Sequence, residues 1–214
     1  LDSVEIDLRH QPLPAKQAVF PQTESFFTFG HEGVPQVTDL TAAPETVIFG
    51  IRPCDARSFA LLDPVFEDTF PDPYYLIRRR RAILFGMACT EPFANCFCTS
   101  IGGDPFATAN LDLRFTEGDT CFLIDVITGR GRQIIDAIDP SILRAAAEED
   151  GQKSQQRAQN ARGLMARGID LSGVPEKLTT LFDHPLWKRF ADKCIGCGIC
   201  TYACPTCYCF DMQD

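Results

Sequence analysis

The sequence predicts a mixed chain, of α+β / α/β class. A small mixed sheet with helices comes first, then a helical connector, then a short cysteine-rich half-module. Three observations carry this. Residues 45–51 and 82–88 are short, continuous apolar runs of the kind buried strands make. Residues 111–115 and 121–127 are strand-like runs joined through Glu117-Gly118-Asp119, a hairpin-type turn. The stretch Cys194-Ile-Gly-Cys197-Gly-Ile-Cys200-Thr-Tyr-Ala-Cys204-Pro205 has the spacing C-x2-C-x2-C-x3-C-P, with which bacterial ferredoxins wrap an iron–sulfur cluster. The expected division is 1–140 for an α/β domain, 141–185 for the connector, and 186–214 for a ferredoxin-type 4Fe-4S module.

At 214 residues, with 45% hydrophobic and 23% charged side chains, the chain is expected to be globular. A net charge of −9 argues against nucleic acid as the main partner. No apolar run approaches the length of a membrane span. Eleven cysteines, an odd number, fit metal-bound thiolates in a reducing cytoplasm better than a disulfide framework.

Taken in order, residues 4–8 alternate like a short strand, and His10, Pro12, Pro14, Pro21 and Glu32-Gly33 mark loops. The aromatic run 26–29 reads as core or partner contact. His10, His31 and His184 lack metal-ligand spacing. The strand 45–51 should end at Pro53, with Asp55 capping a helix over 56–62. That puts Cys54 at a strand-to-helix crossing, on the sheet edge where open α/β sheets keep ligands. Arg78, Arg79, Arg80 and Arg81 read as a solvated helix end or an electrostatic contact to an acidic partner.

The strand 82–88 ends at Cys89, and a Cys96-Phe97-Cys98 loop and a Gly102-Gly103 turn follow. Two strands that each end in a cysteine would, if parallel neighbours, set Cys54 beside Cys89. Cys96 and Cys98 can then fold back to make a second four-thiolate site. Cys121 is expected in the core. Helices are expected over 131–138, over 142–165 with Ser141 as cap, over 175–182, and over 186–191 with Trp187 and Phe190 as packing anchors. The last of these delivers Cys194.

In the C-terminal run, soft thiolates suit iron corners, and Gly196 and Gly198 let backbone N–H groups approach the sulfurs. Cys194, Cys197 and Cys200 are ligands on this reading; the fourth is Cys204, Cys207 or Cys209. In two-cluster ferredoxins the fourth cysteine of the run serves the other cluster.

Together, Ile51-Arg52-Pro53-Cys54-Asp55-Ala56, Gly86-Met87-Ala88-Cys89 with Cys96-Phe97-Cys98, and the segment from Cys194 to Asp211 resemble the 4Fe-4S dicluster subunits found beside hydrogenases and sulfite or sulfur reductases. Sulfhydrogenase, through its beta subunit, typifies this family, as does anaerobic sulfite reductase through one of its subunits. The resemblance implies an electron-transfer subunit between a flavin/NAD(P)-binding partner and a catalytic partner. It implies a further ferredoxin motif downstream, so a chain ending at Asp214 is expected to be a fragment. It also makes Cys54, Cys89, Cys96 and Cys98 candidates for an additional [4Fe-4S] cluster.

Other classes fare less well. A zinc-binding structural module would space two C-x2-C pairs a dozen or more residues apart. A reactive thiol at Cys54 would need a basic neighbour; Arg52 and Arg57 are near in sequence, and no histidine is. No G-x-S-x-G, Walker or G-x-G-x-x-G motif is present.

Overall fold

The computed structural model describes residues 13–29, 33, 35–37 and 43–212. The strand expected over 4–8, together with His10 and His31, lies outside the described residues.

A four-stranded mixed sheet forms the body, in the order β3 (Thr46–Ile51), β4 (Ala82–Met87), β5 (Leu113–Glu117), β6 (Phe122–Val126). The first two pairings are parallel and the last is antiparallel. A separate hairpin pairs β1 (Phe27–Phe29) with β2 (Pro35–Val37). Parallel neighbours need a crossover, and helices α1 (Pro53–Glu67) and α2 (Pro73–Arg81) supply it between β3 and β4. The remaining helices are α3 (Gly129–Ala137), α4 (Glu148–Gly163), α5 (Val174–Thr180), α6 (Pro185–Ala191) and α7 (Ile199–Ala203).

The core lies between one sheet face and α1 with α2. Ile51, Leu84 and Leu111 meet Ala56, Phe59, Leu62, Phe66, Tyr75 and Leu76 there. Each fully buried large side chain contributes about 1.5–3 kcal/mol by leaving water. The two helices are locked by a polar tie: the Tyr75 hydroxyl donates to Asp63 at 2.6 Å, and Arg79 Nε donates to the same carboxylate at 3.0 Å. Gly86 leaves room for the Leu111 side chain to pack over β4, since a Cβ there would fall 2.3 Å from Leu111 Cδ1. Where β4 outruns β5, the Asp112 carboxylate accepts from Leu84 N–H at 2.9 Å, and so extends the ladder with a side chain. On the opposite face Phe49, Phe85, Phe115 and Phe122 form an aromatic row across all four strands, with ring centroids 5.4–6.4 Å apart between contacting pairs.

Several expectations need correction. Pro53 does not merely end the strand; it opens α1 at its first position, where its missing N–H costs nothing. Cys54 and Asp55 therefore lie inside the first helical turn, and Asp55 is not the cap. The helix expected from Ser141 begins later. Asp139 caps a short 3-10 turn, the chain extends, and Asp150 accepts from Ala147 N–H at 2.9 Å where α4 starts. Cys121 is exposed instead of buried, with Arg144 Nη2 3.8 Å from its sulfur. Phe190 is 63% exposed and does not anchor α6 by burial. The Trp187 indole is half-exposed and donates to Leu181 O. His184 is satisfied as a cap, accepting from Leu186 N–H at 3.1 Å.

The arginine run is also engaged within the chain. Arg78 pairs with Glu24, Arg79 pairs with Asp63 and covers the Phe59 ring at 4.9 Å, and Arg81 donates to Ala43 O. Only Arg80 in the run is exposed.

Candidate metal centres

Local geometry at the first cysteine set follows from the strand ends. Because β3 and β4 are parallel and Ile51 pairs with Gly86, the residues after each strand emerge at the same sheet edge. Cys54 lies there in the first turn of α1, and Cys89 lies two residues past β4. Cys89 N–H donates to Pro105 O at 2.9 Å, which draws the 90–105 loop back over the edge. Cys96 and Cys98 sit in that loop. Cys96 N–H donates to Phe93 O at 2.9 Å, and Phe93 N–H lies 3.3 Å from Cys96 Sγ.

The four sulfurs act on one another. Desolvation, followed by the Asp55 charge, pushes the Cys54 thiol well above its usual value, and Cys98 and Cys89 add to the shift. Cys54 reaches solvent, so the desolvation comes from protein packed around its inner side. Cys89 is raised mainly by burial, with Cys96 and Cys98 contributing, and Cys98 is raised by burial and then Cys96. A thiol held up in this way stays protonated, which does not favour a free reactive nucleophile at Cys54. Mutual repulsion of four thiolates is what bound cationic iron relieves.

Two arginines at the start of α1 brace this set; in sequence they are no more than basic neighbours of Cys54. Arg52 Nη1 donates to Ala88 O at 3.0 Å, beside Cys89, and its charge lowers the Cys89 thiol against the burial effect. Arg57 Nη1 donates to Ile101 O at 2.5 Å, at the end of the 3-10 turn Cys98–Ile101. Gly103 N–H closes that turn onto Cys98 O at 2.8 Å. Helix α4 supports the loop from behind. Its Ala158 and Ala161 pack with Ala88 and Phe106, and Arg162 forks onto Asp104 at 2.6 and 3.1 Å.

The second set is differently built. α6 ends at Ala191, and Cys194 follows in a loop. Gly196 and Gly198 both take left-handed backbone conformations, φ 69° and 72°, which only glycine adopts freely. Gly196 has open space where a Cβ would point, and its N–H lies 3.4 Å from Cys194 Sγ. Gly198 then caps α7, which carries Cys200. Cys194, Cys197, Cys200, Cys204 and Cys209 are exposed, and Cys207 is half-buried. The Thr206 hydroxyl, 3.3 Å from Cys204 Sγ, holds that thiol below its usual value.

All eleven cysteines are free thiols, so no disulfide competes for either set. Among the described residues no three His, Cys, Asp or Glu side chains are gathered as a ready-made site for a metal ion; each set has to close on what it binds. The donors fit an iron–sulfur cluster: soft sulfurs, left-handed glycines, and N–H groups turned toward sulfur.

Comparison with known proteins agrees on the C-terminal set. Residues 187–206 match the family model for a 4Fe-4S binding domain. Along all 214 residues the chain is 29% identical to the sulfhydrogenase 2 subunit beta of Pyrococcus furiosus, and it spans 62% of that protein's length. No solved structure matches. Among the described residues no helix is long and apolar enough to cross a membrane. The chain thus carries a 4Fe-4S binding segment and resembles, from end to end, the beta subunit of a sulfhydrogenase.

Proposed function

We propose that the protein is an iron–sulfur electron-transfer subunit of a multi-subunit oxidoreductase of hydrogenase or sulfite/sulfur reductase type. It relays single electrons between a flavin/NAD(P)-linked partner and a catalytic subunit in the cytoplasm. The observation that carries the reading is the C-terminal cysteine run with its two left-handed glycines, inside the segment that matches a 4Fe-4S binding domain.

Cys194, Cys197 and Cys200 hold one cluster, with Cys204 as fourth ligand; the Thr206 hydroxyl that eases Cys204 toward thiolate favours it over Cys207 and Cys209. Cys54, Cys89, Cys96 and Cys98 hold a second [4Fe-4S] cluster at the sheet edge. Each cluster supplies reversible one-electron chemistry when bound. The chain's residues do the rest. Gly196 N–H directs a dipole at Cys194 Sγ, and Arg52 places positive charge next to Cys89. Such contacts set the potential of an iron–sulfur site. The chain divides, on this reading, into an α/β domain over 1–140, a connector over 141–185 and a ferredoxin-type half-module over 186–214.

The test is iron and acid-labile sulfide per chain after anaerobic reconstitution, with EPR of the reduced sample. About eight irons, falling to about four in a Cys54→Ser/Cys89→Ser variant, are expected. About four irons, unchanged in that variant, would remove the sheet-edge cluster. Zinc in place of iron would overturn the carrier reading in favour of a structural module.

A further inference from the structure

Lys16 is a lysine almost entirely inside the protein, 5% exposed. It belongs to a short 3-10 turn, Ala15–Ala18, whose neighbours Ala15, Val19 and Phe20 pack into the core under the sheet. From there its ammonium crosses to the far end of the sequence. Nζ donates to Thr201 O at 3.1 Å and to Cys207 O at 2.7 Å. The first carbonyl belongs to α7, the second to the loop that follows Cys204. One side chain therefore grips both ends of the segment that holds Cys204.

Lysine is almost never this deeply buried without compensation. Two carbonyls accept from two of its three N–H donors without cancelling its charge. Four thiolates around an iron–sulfur core carry net negative charge, and they would cancel it.

We propose that Lys16 is the positioning residue of the C-terminal cluster, clamping the 201–207 loop onto the sheet body and drawing the cluster's reduction potential upward through its charge. The inference rests on the C-terminal run holding a cluster. A fixed cation stabilises the state with one more electron, so its removal makes reduction harder.

The experiment compares wild-type, Lys16→Met, Lys16→Gln and Lys16→Arg proteins after reconstitution of the whole chain. Two quantities are read: the rate of iron release to a chelator, and the midpoint potential of the C-terminal cluster by EPR-monitored titration in a Cys54→Ser/Cys89→Ser background. Lys16→Met is expected to release iron about tenfold faster, the scale of one lost charge-assisted hydrogen bond, and to titrate at a more negative potential. Lys16→Gln keeps a donor without the charge, so it is expected to show the potential shift even where Lys16→Met does not fold. Lys16→Arg is expected to restore both readouts. Faster release with an unchanged potential would overturn the proposal, because Lys16 would then be a packing element only. Unchanged values in both Lys16→Met and Lys16→Gln would overturn it outright. A wild-type protein that binds no iron would instead sink the electron-carrier reading.

Discussion

At the sheet edge, Cys54, Cys89, Cys96 and Cys98 come from the start of a helix, the end of a strand and a loop, and two arginines and a packed helix brace them. At the C-terminus, Cys194, Cys197, Cys200 and Cys204 come from one loop and one turn of helix, and nearly all of that stretch is exposed. The first set depends on the sheet: lose the core, and its members have no reason to meet. The second depends on spacing and on two glycines, and Lys16 ties its far end to the body. Burial pushes the Cys54, Cys89 and Cys98 thiols of the first up, whereas Thr206 holds the Cys204 thiol of the second down.

The comparison breaks most directly at the ligands. Cys197→Ser/Cys200→Ser should remove about four irons per chain and the corresponding EPR signal, and should lower the melting temperature slightly, because the buried Lys16 loses the negative charge it faces. A fall as large as that of a core variant would show that the exposed set is not independent of the body. Next in size is Phe59→Ala, which hollows the core directly under α1. Truncating a buried Phe costs about 3–5 kcal/mol, a large share of a typical stability of about 5–15 kcal/mol. Denaturant titration should report that loss, and iron analysis should find the proposed sheet-edge cluster depleted before the C-terminal one. Equal depletion would sink the distinction.

Smaller, and read on the iron-free protein, is thiol reactivity. The thiolate is the nucleophile, and each unit of pKa changes its fraction up to tenfold. Alkylation followed by mass spectrometry at about pH 8 should label Cys204 at least about tenfold faster than Cys54. The gap should narrow as pH rises, since the raised thiols of Cys54, Cys89 and Cys98 ionise only then. Matching rates would show that the sheet edge does not shield its sulfurs.

The smallest effect concerns the brace behind that edge. The Arg162 guanidinium, then Phe106 N–H, hold the Asp104 carboxyl below the usual carboxylate range. A lowered folded-state pKa adds stability that is present above the unfolded value, about 3.9, and lost as pH falls through the folded one. The pair is largely solvent-exposed, so Arg162→Ala should cost less than about 1 kcal/mol. Melts across that acid range should show the variant losing less stability than wild type. A steeper acid loss in the variant would contradict the assignment.

Much of the sheet was legible because its strands are short apolar runs that end at Pro, Cys or Gly. The inference that parallel neighbours bring Cys54 and Cys89 to one edge needed only those runs, and the register of β3 with β4 agrees with it. Helix starts were less legible. Proline at the first position of α1 looks in sequence like a strand stop, and both roles hold at once. Ser141 is a good cap in isolation, yet Pro140 and the Arg144–Asp150 pair, at 2.7 Å, accompany an extended stretch that delays α4. The four consecutive arginines looked like a surface patch because a charge run carries no sign of its partners. Glu24, Asp63 and the Ala43 carbonyl are far away in sequence and near only in the fold.

By itself the sequence determined the C-terminal run, its glycines and its chemistry, because ligand spacing and left-handed backbone are properties of a few consecutive residues. It also determined the four strands of the main sheet, through local hydrophobic pattern, though not the hairpin of β1 and β2. Only the tertiary structure decided that Cys121 faces solvent, that Arg52 and Arg57 brace the sheet-edge thiols, and that Lys16 reaches Thr201 and Cys207. Those contacts join residues far apart in the chain, and no local pattern encodes them. They arise when the burial of the core brings distant segments within hydrogen-bonding range.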